Sequence, residues 1–238
     1  GTHGAAIAWA CRRLGHRATI FVPTISAEAK VERLRAYGAD VRVEGAVYAE
    51  ALAASAEFQA ATGARSVHAY DDRLVMAGAG TLARELEHQL TDAGQRVDHI
   101  VIACGGGGLS GGAAAWFGSA ITPRLWVVET GTTATFAAAR AAGEPVGVEV
   151  SGLCADSLGA TSLGTLAYRA LSNNGAESIL VDDGSVRRAQ RWLWDEFRLV
   201  TEPAAATTVA ALHSGRIPVT PGESVALVLC GANTATPL

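Results

Sequence analysis

Two hundred and thirty-eight residues, 49% of them hydrophobic, with a formal net charge of −4, suit one large domain or two small ones around a proper core. That charge balance gives no general attraction to nucleic acid or an anionic membrane, and no run of eighteen apolar residues is present to span one. The 27 glycines show no period-three order, which excludes a collagen-like chain.

Ile7, Ala10, Cys11 and Leu14 fall at helical spacing, so Ala5 to Leu14 reads as a helix stopped by Gly15. Ala18 to Val22 is a β-branched run closed by Pro23. Ala27 to Tyr37 is helical again, and Asp40 to Val43 is a strand. The alternation continues with a helix over Tyr48 to Ala61, a short strand around Val67, a helix from the Asp71-Asp72 pair to Leu90, and the apolar strand His99 to Ala103. A glycine loop, a helix to Phe117 and the strand Leu125 to Val128 follow. Beyond them lie helices over Thr133 to Ala142 and Leu163 to Leu171, the strand Ile179 to Val181, a helix capped by Asp183 and ending at Phe197, a helix over Ala204 to Leu212, and a buried strand Val225 to Leu229. Strands alternating with long helices predict an α/β fold with a parallel sheet covered on both faces. The crossing between two domains is placed at Asp71-Asp72.

Gly105-Gly106-Gly107-Gly108 stands directly after a strand and before a helix beginning near Leu109. Glycines let the backbone turn sharply and bring several N–H groups near a ligand, and the helix amino end adds partial positive charge, so the junction suits a phosphate. A tight turn chosen only for packing is the plainer explanation. Gly106 to Gly111 also satisfies GxGxxG, and Glu129 lies eighteen residues beyond Gly111 at the end of the next strand, as in an NAD-dependent oxidoreductase of the Rossmann kind. No Gly-Lys-Ser/Thr follows, which excludes a Walker A loop.

Three other segments carry candidate chemistry. Gly1-Thr2-His3-Gly4 precedes a helix and suits a carboxylate, unless Thr2 is an ordinary N-cap. Cys230-Gly231 follows the last strand, at the edge where open α/β sheets bind ligands, or is a buried inert thiol. Glu202 precedes a helix begun by Pro203, where surface capping is the alternative. The four cysteines, Cys11, Cys104, Cys154 and Cys230, form no CxxC pair, so neither a disulfide framework nor a zinc site is expected. The start of the chain has no basic-then-apolar signal peptide, which makes the cytoplasm the default location. Of nineteen basic residues, Lys30 alone is a lysine.

Taken in order, these segments resemble the fold-type II pyridoxal-phosphate enzymes, in the serine/threonine dehydratase branch that includes serine racemase. Ala29-Lys30-Val31 to Gly38-Ala39 is similar to that family's Ala-Lys-Val-x-x-x-Arg-x-x-Gly-Ala segment. His68-Ala69-Tyr70-Asp71-Asp72 resembles its His-Pro-Phe-Asp-Asp, and Ala77 to Thr81 its Ala-Gly-Gln-Gly-Thr. Gly105 to Leu109 resembles its phosphate loop, Val128-Glu129 its Val-Glu-Pro, Ala155 to Leu158 its Ala-Asp-Gly-Leu, and Glu202-Pro203 its Glu-Pro-x-Gly-Ala.

The resemblance implies a two-domain, tryptophan synthase β-like architecture, with residues 1–70 in a small α/β domain and 71–238 in a large domain that binds pyridoxal 5'-phosphate. It implies cofactor contacts from Thr2, Gly105, Gly106, Gly107, Gly108, Leu109, Glu202 and Cys230, and substrate-carboxylate contacts from Gly1, Thr2, His3 and Gly4. It also implies a homodimer acting on a small amino acid, L-threonine or L-serine, by β-elimination to a 2-oxo acid and ammonia. Glu129 is the candidate metal ligand, although Thr135 stands where the racemase-like branch supplies an aspartate to a divalent cation; a solvated carboxylate at the strand end is the alternative. The family's Schiff-base lysine belongs to a segment upstream of the loop that here begins at Gly1. The chain is therefore expected to be incomplete at its amino end, with no catalytic lysine of its own and no turnover alone. A catalytically silent binding module with this fold remains the third reading.

Overall fold

The computed structural model describes residues 2–26, 28–46, 48–119 and 123–234. The chain divides into two compact units, Gly1–Val67 and His68–Leu238.

In the first unit, α1 (Thr2–Leu14), β1 (Thr19–Val22), α2 (Glu28–Ala36), β2 (Asp40–Val43) and α3 (Tyr48–Thr62) follow one another. β1 and β2 pair in parallel, with Thr19 opposite Asp40 and Val22 opposite Val43. Ala8, Val22, Val31 and Leu34 form the buried centre of this unit. Two expectations change here. Thr2 to Gly4 form the first turn of α1 rather than a loop ahead of it, so Thr2 lies inside the helix. No strand forms around Val67; its carbonyl instead accepts from the ring of His3, with Nε2 at 2.9 Å. A strand needs a partner, and this segment has none among the described residues.

The second unit runs α4 (Arg73–Asp92), β3 (His99–Ala103), α5 (Gly108–Phe117), β4 (Arg124–Thr130), α6 (Thr135–Ala142), α7 (Thr165–Asn174), β5 (Glu177–Val181), α8 (Asp183–Phe197), α9 (Pro203–His213) and β6 (Val225–Leu227). Its four-stranded sheet has the order β5-β4-β3-β6, and every pairing is parallel. Successive side chains of β3 serve opposite faces. Val101 and Ala103 pack with Val186, Ala189 and Leu193 of α8 and Val209 of α9. Ile100 and Ile102 pack with Ala83 of α4, Ala113 of α5 and Leu171 of α7. Both faces are covered, so β3 is an unbroken apolar run and is buried throughout. β6 is shorter than expected and only partly buried, because it has a single neighbour at the edge of the sheet.

Local polar residues fix the element starts. The two adjacent aspartates divide their work: Asp72 Oδ1 accepts from the Leu74 and Val75 amides and caps α4, while Asp71 Oδ1 accepts from the Leu166 amide in the first turn of α7. For α8 the cap is Asp182, which accepts from Ser185, and not Asp183, whose carboxylate is occupied by the Leu153 amide at 2.8 Å. Helices α4 and α5 meet through bare backbone. A Cβ added to Gly112 would stand 2.6 Å from the Met76 carbonyl oxygen and 2.7 Å from the Gly80 amide.

Gly112→Ala is therefore expected to lower the stability of this unit by about 1–3 kcal/mol through overpacking. Gly78→Ala, on the same helix as Gly80 but with nothing within 4 Å of the new methyl, should raise it by about 0.5–1 kcal/mol. Denaturant melts of the two variants beside the parent check the opposite signs.

Candidate cofactor site

Because the four strands of the second unit are parallel, their carboxyl ends lie along one edge, and the segments after β3, β4 and β6 gather there. The glycine run after β3 begins at Gly105, and α5 starts at Gly108 with Gly107 as its N-cap, at φ +85°. Gly106 and Gly107 are required by their surroundings, and Gly105 and Gly108 are tightly packed. A Cβ on Gly105 would stand 3.1 Å from Leu158 Cα, and one on Gly107 would stand 2.6 Å from Ala167 Cβ and 2.7 Å from Leu163 Cδ1. One on Gly106 would run into the ring of Tyr70, and one on Gly108 would touch the Tyr70 backbone.

Packing alone thus explains the glycines, but not the backbone polarity. The carbonyl of Gly105 accepts from the Thr135 hydroxyl, that of Gly106 from the Gly164 amide at 3.0 Å, and that of Gly107 from the Gly111 amide at 2.7 Å. None of the amides from Gly105 to Leu109 donates to another described residue. A row of N–H groups without acceptors, at the amino end of a ten-residue helix, is a ready site for an anion. In the same turn, the hydroxyl of Ser110 is fully buried without a partner.

Glu129 closes β4 immediately behind the loop. It is neither solvated nor free to grip a ribose: the residue is 0% exposed, and its carboxylate accepts from the Phe136 amide at 2.8 Å and the Ala137 amide at 2.9 Å, capping α6. Both the solvated-carboxylate and the Rossmann-acid readings fail on this burial. No group of three or more His, Cys, Asp or Glu suited to a metal occurs among the described residues.

Thr135 Oγ1 lies 3.0 Å from Glu129 Oε1 while also reaching the Gly105 carbonyl. One hydroxyl proton cannot serve two acceptors. With Thr135 donating to Gly105, the contact with Glu129 calls for a proton on the carboxyl. Burial pushes that carboxyl up to about 7, against the opposing pull of the Phe136 and Ala137 amides. The adjacent Cys104 thiol is raised far above its ordinary value, by burial first and by Glu129 second.

Cys230 and Glu202 are brought together on the same edge. The Glu202 amide donates to the Gly231 carbonyl at 3.1 Å, and a Cβ on Gly231 would collide with the Glu202 carboxylate. Cys230 is exposed rather than buried, yet the desolvation of its sulfur, with Glu202 nearby, pushes the thiol up to about 11, so it is neutral at pH 7. Glu202 occupies the N-cap position of α9 but makes no side-chain cap bond there. The Ser157 hydroxyl takes the Ala204 amide at 3.2 Å instead, which disposes of the surface-capping alternative. Leu109 lines an open groove between α4 and β6 with Leu82, Leu86 and Leu227.

Thr2, His3 and Gly4 are carried by the first unit. His3 is engaged with Val67, and Gly4 is packed against Ile20, whose Cγ2 would stand 3.1 Å from an added Cβ. Gly1 lies outside the described residues. Sequence reasoning missed Thr135 and Tyr70 as parts of the loop's support; the only signal for either was its place in a segment already singled out.

The model of the pyridoxal-phosphate dependent enzyme family matches residues 1–231. The chain belongs to that family. It is 34% identical over 241 residues to the L-threonine dehydratase biosynthetic IlvA of Escherichia coli (strain K12), covering 98% of this chain and 45% of that protein. With the protein of the same name from Mycobacterium tuberculosis (strain ATCC 25618 / H37Rv) it shares 35% over 239 residues, covering 98% and 54%. Its fold is that of a threonine deaminase from T.th., with a TM-score of 0.91 at 28% identity, over 100% of this chain and 77% of that one. The chain spans about half the length of the curated relatives it matches. In this family pyridoxal phosphate is the cofactor, and the loop fits its phosphate: the acceptor-free amides at the start of α5 are what an ester phosphate requires.

Folded Glu129 holds its proton more tightly than the unfolded chain, whose carboxyl titrates near 4.5. The stability it contributes is complete below about pH 4.5 and is lost as the pH rises to about 7, a change of about 3 kcal/mol. Melts of the parent chain should show this decline between pH 5 and 8, and melts of Glu129→Gln should lack it; equal slopes in both would refute the assignment.

Proposed function

We propose that this protein is a pyridoxal-phosphate dehydratase (ammonia-lyase) acting on L-threonine or L-serine in the cytoplasm as a homodimer. The single observation that carries this reading is the row of acceptor-free amides from Gly105 to Leu109 at the head of α5. Similarity to threonine dehydratases and to a threonine deaminase of the same fold supports the substrate class. Nothing comparable supports an NAD-dependent oxidoreductase, since Glu129 is spent on capping α6. Among the described residues no helix is long and apolar enough to cross a membrane.

In this reading the amides of Gly105 to Gly108 and the end of α5 would hold the phosphate, with Leu109 beside them. Cys230 would face the pyridine nitrogen. Its thiol, neutral at pH 7, would not protonate that nitrogen as a carboxylic acid could, and so would favour loss of a β-hydroxyl. Glu202 would stand near the ring. When bound, the cofactor supplies an aldehyde for the substrate's amine and a sink for the electrons released at Cα. The net reaction removes the amino group as ammonia and the β-hydroxyl as water, and one water returns in forming the 2-oxo acid.

Proton removal at Cα calls for an amine base. Lys30, the one lysine of the 238 residues, lies on α2 in the first unit, and we assign it no part in the chemistry.

Equilibrium dialysis tests the reading directly. The chain should bind pyridoxal phosphate in competition with inorganic phosphate, NAD should not displace it, and Lys30→Arg should leave binding unchanged. Tight NAD binding with no affinity for pyridoxal phosphate would overturn the proposal.

A further inference from the structure

A trans peptide plane points its C=O and the following N–H in opposite directions. Whatever holds the carbonyl of one residue therefore aims the amide of the next. Between glycines such planes turn over easily, because no Cβ resists the rotation. In the loop after β3 three planes are held, the one after Gly107 by the Gly111 amide of α5 and the other two from outside the loop. The Gly164 amide grips the Gly106 carbonyl at 3.0 Å and thereby aims the Gly107 amide. The Thr135 hydroxyl grips the Gly105 carbonyl and thereby aims the Gly106 amide.

Of the grips from Gly164 and Thr135, the former is backbone to backbone, whereas the Gly105 carbonyl is held by side chains, the Thr135 hydroxyl and, more weakly, the Cys104 thiol at 3.6 Å. Thr135 is itself fixed: it is 0% exposed, opens α6, and rests against Glu129 Oε1 at 3.0 Å, the same oxygen that takes the Phe136 amide. The hydroxyl cannot rotate away without giving up its bond to the Gly105 carbonyl, which would keep only the longer contact with the weakly donating Cys104 thiol, a costly exchange in a dry interior.

We propose that Thr135 is a positioning residue for the cofactor's phosphate, acting through the Gly105 carbonyl to hold the Gly106 amide toward the anion. The inference rests on the cofactor reading given above and adds a side chain that never touches the phosphate.

The test compares the parent, Thr135→Val and Thr135→Ser for binding of pyridoxal phosphate and of pyridoxal, which lacks the phosphate. The valine variant keeps the shape and loses the hydroxyl. It should bind pyridoxal phosphate roughly tenfold more weakly, the loss of about one well-placed hydrogen bond, while its affinity for pyridoxal matches the parent's. The serine variant should stay within about twofold of the parent for both. A valine variant that holds pyridoxal phosphate as the parent does, one that loses both ligands equally, or a serine variant as weak as valine overturns the inference.

If Thr135→Val does not fold, the parent chain decides by NMR. A slowly exchanging Thr135 hydroxyl proton coupled to the Gly105 carbonyl carbon, with the Gly106 amide shifted on adding pyridoxal phosphate, supports it; fast exchange or an unmoved Gly106 amide overturns it. A parent that binds no pyridoxal phosphate sinks the cofactor reading and the inference together, whereas variants indistinguishable from a binding parent sink the inference alone.

Discussion

A strand that ends and a helix that begins within four residues leave space for very little side chain. Between β3 and α5 the chain turns while Tyr70, Leu158, Leu163 and Ala167 press on it from within the second unit. Glycine is the residue that survives this pressure, and the left-handed Gly107 makes the turn. The rest of the site follows from that crowding. The loop's carbonyls are drawn to partners inside the unit, so its amides are left over, and in a trans peptide chain they face the other way. The proposed anion site would be a by-product of tight packing combined with the unmet N–H groups of a helix start.

Behind the loop, a buried acid takes on work that exposed caps do elsewhere. Asp72 and Asp182 cap α4 and α8 from adjacent positions in sequence, as short polar side chains commonly do. Glu129 caps α6 from the previous strand, with Thr135 between it and the loop. Desolvation and the donor set pull its proton affinity in opposite directions, and desolvation wins. The same dry setting keeps Cys104 protonated. Helix start, strand end and glycine loop are thereby joined by a few hydrogen bonds that water does not reach.

At the other end of the candidate site, Cys230 and Glu202 depend on a second close approach of backbone to side chain, at Gly231. A thiol desolvated beside a carboxylate stays neutral. Likeness to threonine dehydratases covers nearly the whole of this chain and about half of theirs, and it carries the family and the fold.

Periodicity and punctuation in the sequence were sufficient for the parallel α/β class, for the β3-glycine-α5 junction, and for nearly every helix and strand, because these depend on local residue patterns and on the two-sided burial of β3. Ordered motifs from Lys30 to Cys230 were sufficient for the family. Three things were settled only by the tertiary structure. Glu129 became a buried cap because α6 folds back over the end of β4. The segment at Val67 stayed out of any sheet because no strand among the described residues lies beside it. Thr135 met the Gly105 carbonyl across thirty residues of chain. A residue's type can be read from its neighbours in sequence, but whether its polar atoms meet water, an amide or a carboxyl depends on which distant backbone the packing brings against it.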